Sequence, residues 1–205
     1  MKVLLVNGSP HEKGCTYTGL SEIAKTLNAN GVETEIFWIG KQAISGCHGC
    51  GACRKLGKCY MDDVVNEFVE KAKQFDGYVF GTPVHYASAG GSIISLLDRA
   101  FYSSSKIFSY KPATAIASCR RSGATASLDV LNKYFTINCM PVVSARYWNG
   151  IHGNTPEEVL QDEEGMQTMR ILGHNMAWLL KCIQLGKEAG IAPAMERKIL
   201  TNFIK

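Results

Sequence analysis

The chain has 205 residues, 46% of them hydrophobic and 20% charged, the composition of one globular domain able to bury roughly 70% of its unfolded surface. Its net charge of +4 is spread thinly. With no dense Lys/Arg block and no interleaved aromatic stripe, no nucleic-acid or membrane-surface partner is expected, and a small-molecule or protein redox partner is. The apolar opening run, residues 2–6, stops at Asn7-Gly8-Ser9-Pro10. It is too short for a signal peptide or a membrane span, so a cytoplasmic location is expected.

In chain order, residues 2–6 read as a buried first strand, followed by a glycine-containing loop and a helix with Leu20, Ile23, Ala24 and Leu27 at helical spacing, ending near Gly31. A second strand is expected over 33–39. After a cysteine-rich loop, Asp62 or Asp63 can cap a helix carrying Val64, Val65, Phe68, Val69 and Ala72. Residues 77–81 make a third strand. A Gly-rich loop over 81–91 leads to a helix around Ile93, Ile94, Leu97 and Phe101, and 113–118 gives a fourth strand with its helix at 128–135. A fifth strand is expected over 142–146, then an irregular stretch over 147–154. Thr155-Pro156-Glu157-Glu158 is a capping box opening a helical region that runs through Met169, Leu172, Met176, Leu179, Leu180 and Ile183. Strands alternating with helices predict an α/β three-layer sandwich, a five-stranded parallel sheet in the order 2-1-3-4-5. One domain over 1–186 and a tail or dimer arm over 187–205 complete the expected organisation.

Four cysteines, Cys47, Cys50, Cys53 and Cys59, fall within an insertion at 46–60 with spacing C-x2-C-x2-C-x5-C. Three thiols on a three-residue repeat converge only if the backbone coils around one small object, which Gly46, Gly49, Gly51 and Gly57 permit. That arrangement suits an iron-sulfur cube; zinc fits less naturally, and thiols that bind nothing are the plain alternative. Disulfides are disfavoured in a reducing cytosol. Arg54, Lys55 and Lys58 sit beside the thiols in sequence and would offset their negative charge. Cys139 and Cys182 read as small buried hydrophobes.

Function in this architecture is expected where strands give way to helices. The first loop, from Asn7 to Thr18, offers the hydroxyls of Ser9, Thr16 and Thr18 and the free amides of a helix start, a site for a phosphate dianion. His11, Cys15 and Tyr17 belong to the same candidate set. The loop matches neither G-x-G-x-x-G nor the P-loop, which argues against a dinucleotide fold and against phosphoryl transfer. A capped helix after a turn is the plainer account of the hydroxyls. The second loop, Pro83-Val84-His85-Tyr86-Ala87, would admit a flat ring, with Tyr86 stacking and backbone amides donating to its edge; ordinary loop packing explains Tyr86 equally, and His85 suits a spectator. The third, Ser118-Cys119-Arg120-Arg121-Ser122-Gly123, brings two arginines that could face a reduced ring or a nucleotide phosphate, or simply solvent.

Together these pieces resemble the iron-sulfur flavoprotein branch of the NADPH-dependent FMN reductase family, which is flavodoxin-like. Gly8-Ser9-Pro10, the four-cysteine motif followed by Asp62-Asp63, Thr82-Pro83-Val84-His85-Tyr86, Leu97-Asp98-Arg99 and Gly165-Met166-Gln167-Thr168 carry the likeness. The resemblance implies one FMN per subunit in a homodimer or homotetramer, a 4Fe-4S cluster on Cys47, Cys50, Cys53 and Cys59, and NAD(P)H as co-substrate. It puts the FMN phosphate on Ser9, Thr16, Tyr17 and Thr18 and the ring on 83–87. Cys15-Thr16-Tyr17-Thr18 replaces the commoner Ser-Asn-Thr, and Arg120-Arg121 a more glycine-rich third loop. No catalytic side chain is expected, because hydride arrival at the flavin needs orientation rather than an acid or base. A cluster-free NAD(P)H:quinone or flavin reductase, and a flavin electron carrier or redox sensor, are the rival expectations.

Overall fold

The computed structural model describes residues 1–197 and 199–203. Within the expected tail, Lys198, Ile204 and Lys205 lie outside the described residues. The strands are β1 (Lys2–Asn7), β2 (Glu33–Trp38), β3 (Gly77–His85), β4 (Ser88–Ala89), β5 (Ala113–Cys119) and β6 (Gly150–His152). The helices are α1 (Cys15–Ala29), α2 (Cys53–Leu56), α3 (Val64–Ala72), α4 (Gly91–Ser104), α5 (Ala124–Thr136), α6 (Pro156–Gln161) and α7 (Glu163–Glu188). Five strands pair in parallel in the order β2-β1-β3-β5-β6, and β4 folds back antiparallel on the end of β3. With that two-residue strand set aside, the order is the expected 2-1-3-4-5.

Alternation along the central strands builds the two cores. Val3 and Leu5 of β1 pack with Leu20, Ile23 and Leu27 of α1 and Met169, Leu172 and Met176 of α7. Leu4 and Val6 face the opposite way, onto Phe68 of α3, Leu97 of α4 and Phe135 of α5. A parallel sheet buried on both faces reads as a continuous apolar run, which is why Val3 to Val6 carries no polar residue. No helix among the described residues is long and apolar enough to cross a membrane.

Four expectations need correction. The fifth strand is not continuous over 142–146. Residues 141–143 touch only the start of β5, through Ala113 N to Pro141 O and Val143 N to Ala113 O, and the pairing strand is Gly150–His152 against Ala117–Cys119. Between them residues 144–149 swing outward, and the Asn149 side-chain amide donates to Ala115 O at 3.0 Å, filling the place a strand N–H would take. Second, much of the expected Gly-rich loop over 81–91 is strand: β3 runs to His85, turns tightly and returns as β4. Third, the C-terminal helical region breaks at Asp162, whose carboxylate accepts from Gly165 N at 2.9 Å and starts a second helix. Cys139 and Cys182 are exposed rather than buried.

Candidate functional site

β1 and β3 lie side by side where the crossovers diverge, the position at which open α/β sheets bind ligands. Their carboxyl ends are drawn close: Gly8 N donates to Gly81 O at 2.9 Å, and a Cβ at Gly8 would sit 2.8 Å from that same oxygen. A Cβ at Gly81 would meet Thr16 Cγ2 at 2.7 Å. Only glycine fits at either place.

The first loop is folded by its own polar groups. Asn7 accepts from Ser9 N at 3.1 Å and donates to Glu12 O at 2.9 Å, while the Ser9 hydroxyl accepts from His11 N at 3.1 Å. Trp38, at the end of β2, donates its indole N–H to Ser9 O at 2.8 Å, an anchor that sequence reasoning missed. α1 begins at Gly14 with no side-chain cap and no acid in its first turn. The amides of Thr16 and Tyr17 meet no acceptor among the described residues, and Thr18 turns its hydroxyl back to Gly14 O at 3.3 Å. Thr16 is buried and shares a 2.7 Å hydrogen bond with Ser118 Oγ, at the end of β5, so the first and third loops touch. Cys15 is half-buried, and its thiol pKa is pushed up by burial and then by Glu158 and Glu157, against a lowering backbone bond. It stays a neutral thiol beside the loop.

The second loop is the hairpin at the end of β3. Thr82 Oγ1 accepts from Gly90 N at 3.0 Å and donates to Pro83 O at 2.9 Å, fixing the base of the turn. Pro83 and Val84 are half-buried; His85, Tyr86 and Ala87 are exposed. Tyr86 has φ 59° and its side chain projects fully into solvent, an αL aromatic with no packing to justify it. The third loop leans on this hairpin: Gly123, at φ 94°, starts α5, and a Cβ there would sit 2.7 Å from Val84 Cγ1. Arg120 and Arg121 are exposed. Beyond the loop, Arg121 lines a cavity of about 240 Å³ with Tyr147, Trp148, His152 and Asp162. Three loops therefore converge, and three helices, α1, α4 and α5, begin around them on glycine without a side-chain cap.

The cysteines form a second centre. Gly49, Gly51 and Gly57 take φ of 63°, 69° and 69°, and these left-handed turns wind the segment back on itself. Cys47, Cys50, Cys53 and Cys59, all free thiols, line one small pocket of about 20 Å³ together with Arg99 and Tyr102. Among the described residues no three His, Cys, Asp or Glu gather tightly enough to hold a single metal ion. As a donor set, four thiols on this spacing fit an iron-sulfur cube better than zinc. Arg54, Lys55 and Lys58 are exposed. The cation that reaches a cysteine is Arg99 of α4, whose Nε donates to Cys59 Sγ at 3.3 Å. Burial alone would lower its pKa, but the hydrogen bonds and charges of Asp63 and Cys59 raise it. The signal for Arg99 was available: a lone arginine on an apolar helical face needs a buried partner.

The model of the NADPH-dependent FMN reductase family matches residues 1–155. An iron-sulfur flavoprotein of Methanocaldococcus jannaschii is 29% identical over 195 residues, covering 90% of this chain and all of that protein. Among solved structures, RosB with a bound 8-demethyl-8-formylriboflavin-5'-phosphate superposes with a TM-score of 0.70 at 15% identity, over all of this chain and 94% of that one. An NAD(P)H:quinone oxidoreductase from Methanothermobacter marburgensis gives a TM-score of 0.65 at 15% identity over 86% of this chain and 98% of that one. The chain belongs to the NADPH-dependent FMN reductase family, on the branch of the iron-sulfur flavoproteins.

Proposed function

We propose that the chain is an FMN-dependent electron-transfer enzyme that takes electrons from NAD(P)H, holds FMN at the three converging loops, and carries a 4Fe-4S cluster on Cys47, Cys50, Cys53 and Cys59. One observation carries the flavin assignment: the uncapped start of α1, where the amides of Thr16 and Tyr17 meet no acceptor among the described residues, with the Thr16–Ser118 hydroxyl pair beside them. Amides and hydroxyls at a helix start suit a phosphate dianion without a lysine.

Ser9, Thr16, Tyr17 and Thr18 hold the phosphate. The backbone of 83–87 borders the ring, and Tyr86 covers it. FMN, when bound, supplies hydride acceptance and delivery of electrons singly or in pairs, and the cluster supplies one-electron relay. The chain's own part is positioning. The Thr82 bridge keeps the hairpin rigid, Gly123 sets the third loop against Val84, and Arg121 offers a cation to the anionic part of the donor in the neighbouring cavity. The cytoplasm and a homodimer or homotetramer are the setting we infer from the family resemblance.

The decisive test is anaerobic purification followed by an absorbance spectrum, FMN titration, and iron and sulfide analysis after reconstitution. Flavin bands, micromolar or tighter FMN binding and about four irons per chain are expected. A colourless protein that ignores micromolar FMN ends the flavin reading. Replacing Cys47, Cys50, Cys53 and Cys59 by serine separates the rival: full NADPH turnover without them identifies a cluster-free reductase, while a flavin that stays oxidised with NADPH under nitrogen identifies a carrier.

A further inference from the structure

The four cysteines are not equivalent. Cys47 and Cys50 are exposed and Cys53 half-buried, but Cys59 is 9% exposed. Among the groups around it, one guanidinium bonds its sulfur. Arg99, 2% exposed, uses all five of its N–H groups: Nη1 donates to Asp63 Oδ2 at 2.7 Å and to Ser45 O at 3.3 Å, Nη2 to Asp63 Oδ1 at 2.8 Å and to Met61 O at 3.2 Å, and Nε to Cys59 Sγ at 3.3 Å. Ser45 and Met61 bracket the cysteine segment, two residues before Cys47 and two after Cys59. A single side chain thus pins both feet of the segment and one of its thiols. Asn66 adds a second clamp, donating to Cys59 O and to Met61 O at 3.0 Å each.

We propose that Arg99 is the positioning residue of the cysteine centre: it fixes Cys59 as a pre-set corner on which Cys47, Cys50 and Cys53 close, and its Nε–H to the Cys59 sulfur sets the reduction potential of the bound cluster. This rests on reading the cavity as a cluster site. Asp63 holds the fork flat by a bidentate pair, the geometry in which arginine differs most from lysine. Closing the segment at its feet removes most of the entropy that gathering four thiols would otherwise cost. An N–H aimed at a ligand sulfur withdraws charge and favours the reduced cluster, so its loss lowers the potential.

The test compares the parent chain with Arg99→Lys and with the double variant Arg99→Met/Asp63→Asn. The double variant leaves no buried charge alone and keeps an oxygen at position 63 to cap α3. FMN binding, unchanged from the parent, reports an intact fold. In the cluster-free protein, iodoacetamide labelling followed by mass spectrometry is expected to show Cys59 as the slowest thiol of the four in the parent. Both variants should accelerate Cys59 at least about tenfold while leaving Cys47 and Cys50 unchanged. After anaerobic reconstitution, the variants should lose iron to a chelator about tenfold faster, and the cluster they retain should titrate at a lower potential. A parent chain that takes up no iron and sulfide defeats the cluster reading, and the proposal with it. A parent that takes them up, beside variants with unchanged Cys59 labelling, iron retention and potential, overturns the role of Arg99 alone.

Discussion

Six helices begin at the carboxyl end of the sheet, and they begin in two ways. α3, α6 and α7 start on Asp63, Thr155 and Asp162, whose side chains accept from Val65, Glu158 and Gly165 amides, and each carries glutamate in its first turn. α1, α4 and α5 start on Gly14, Gly90 and Gly123 with no side-chain cap and no acid in the first turn. A missing cap forgoes about 1 kcal/mol per helix. The two groups are not scattered: the bare starts open directly from the three converging loops, whereas α6 and α7 begin one step away, with Glu157 and Glu158 acting on Cys15 and Asp162 lining the cavity beside Arg121. On the proposed function, the bare amides of α1, α4 and α5 are the ones left free for an anionic ligand, since a carboxylate cap at those starts would compete with it.

The comparison breaks first, and hardest, at Asp63, which is a cap and also the partner of a buried guanidinium. Asp63→Ala should destabilise the ligand-free protein by about 3 kcal/mol, since an uncompensated buried charge is added to a lost cap. Asp162→Ala, which loses the cap and the contact to half-exposed His152, should cost about 1 kcal/mol. Urea unfolding of both variants checks the order, and equal losses would show that Arg99 does not depend on its partner.

The bare group is sharpened by adding what it lacks. At Gly90 the backbone is ordinary (φ −57°), and a Cβ would meet nothing closer than His85 Nδ1 at 3.5 Å, so Gly90→Asp fits without strain. A new cap should stabilise the ligand-free protein by about 1 kcal/mol and, by setting a carboxylate beside the ring pocket, weaken FMN about tenfold. Thr16→Val works from the other side. It removes one partner of the buried Thr16–Ser118 bond and should cost about 1–2 kcal/mol in stability together with a measurable loss of FMN affinity. Fluorescence titration with FMN reads both; unchanged affinity in both variants would remove the ligand from the explanation of the glycine starts.

Much of this was legible in the sequence. The order of the sheet followed from strand and helix periods, and the Asp63 and Thr155 caps from residue type. The loops at Ser9–Thr18, 83–87 and 118–123 were identifiable because strand ends and helix starts concentrate glycine and hydroxyl residues there. The split fifth strand was not legible. Val142 and Val143 carry the β-branched signal, yet the pairing falls to Gly150–His152 because the Asn149 side chain substitutes for a ladder bond, a tertiary choice that periodicity does not record. Nor was the asymmetry among the cysteines: neighbouring Arg54, Lys55 and Lys58 drew the charge argument, whereas the cation that matters lies 40 positions beyond Cys59, on α4. Spacing reveals a set of ligands but not which one the core holds.

The smallest effect concerns a contact that ties α4 to α5 beneath the second and third loops. Tyr134 donates its hydroxyl to the Asp98 carboxylate, and burial first, then that hydrogen bond and the carboxylate's charge, push its pKa well above the ordinary value of about 10. Because the folded protein holds the proton more tightly than the unfolded chain, the stabilisation is complete below pH about 10 and is lost as the pH rises above it, where only the unfolded tyrosine ionises. Tyr134→Phe should therefore cost about 1 kcal/mol at pH 8, a modest figure because Asp98 is exposed to solvent. The gap should narrow by up to about 1.4 kcal/mol per pH unit above pH 10 and close near pH 11. Urea unfolding of both proteins between pH 8 and 11 measures it, and a gap constant across that range would show that the hydroxyl is not held by Asp98.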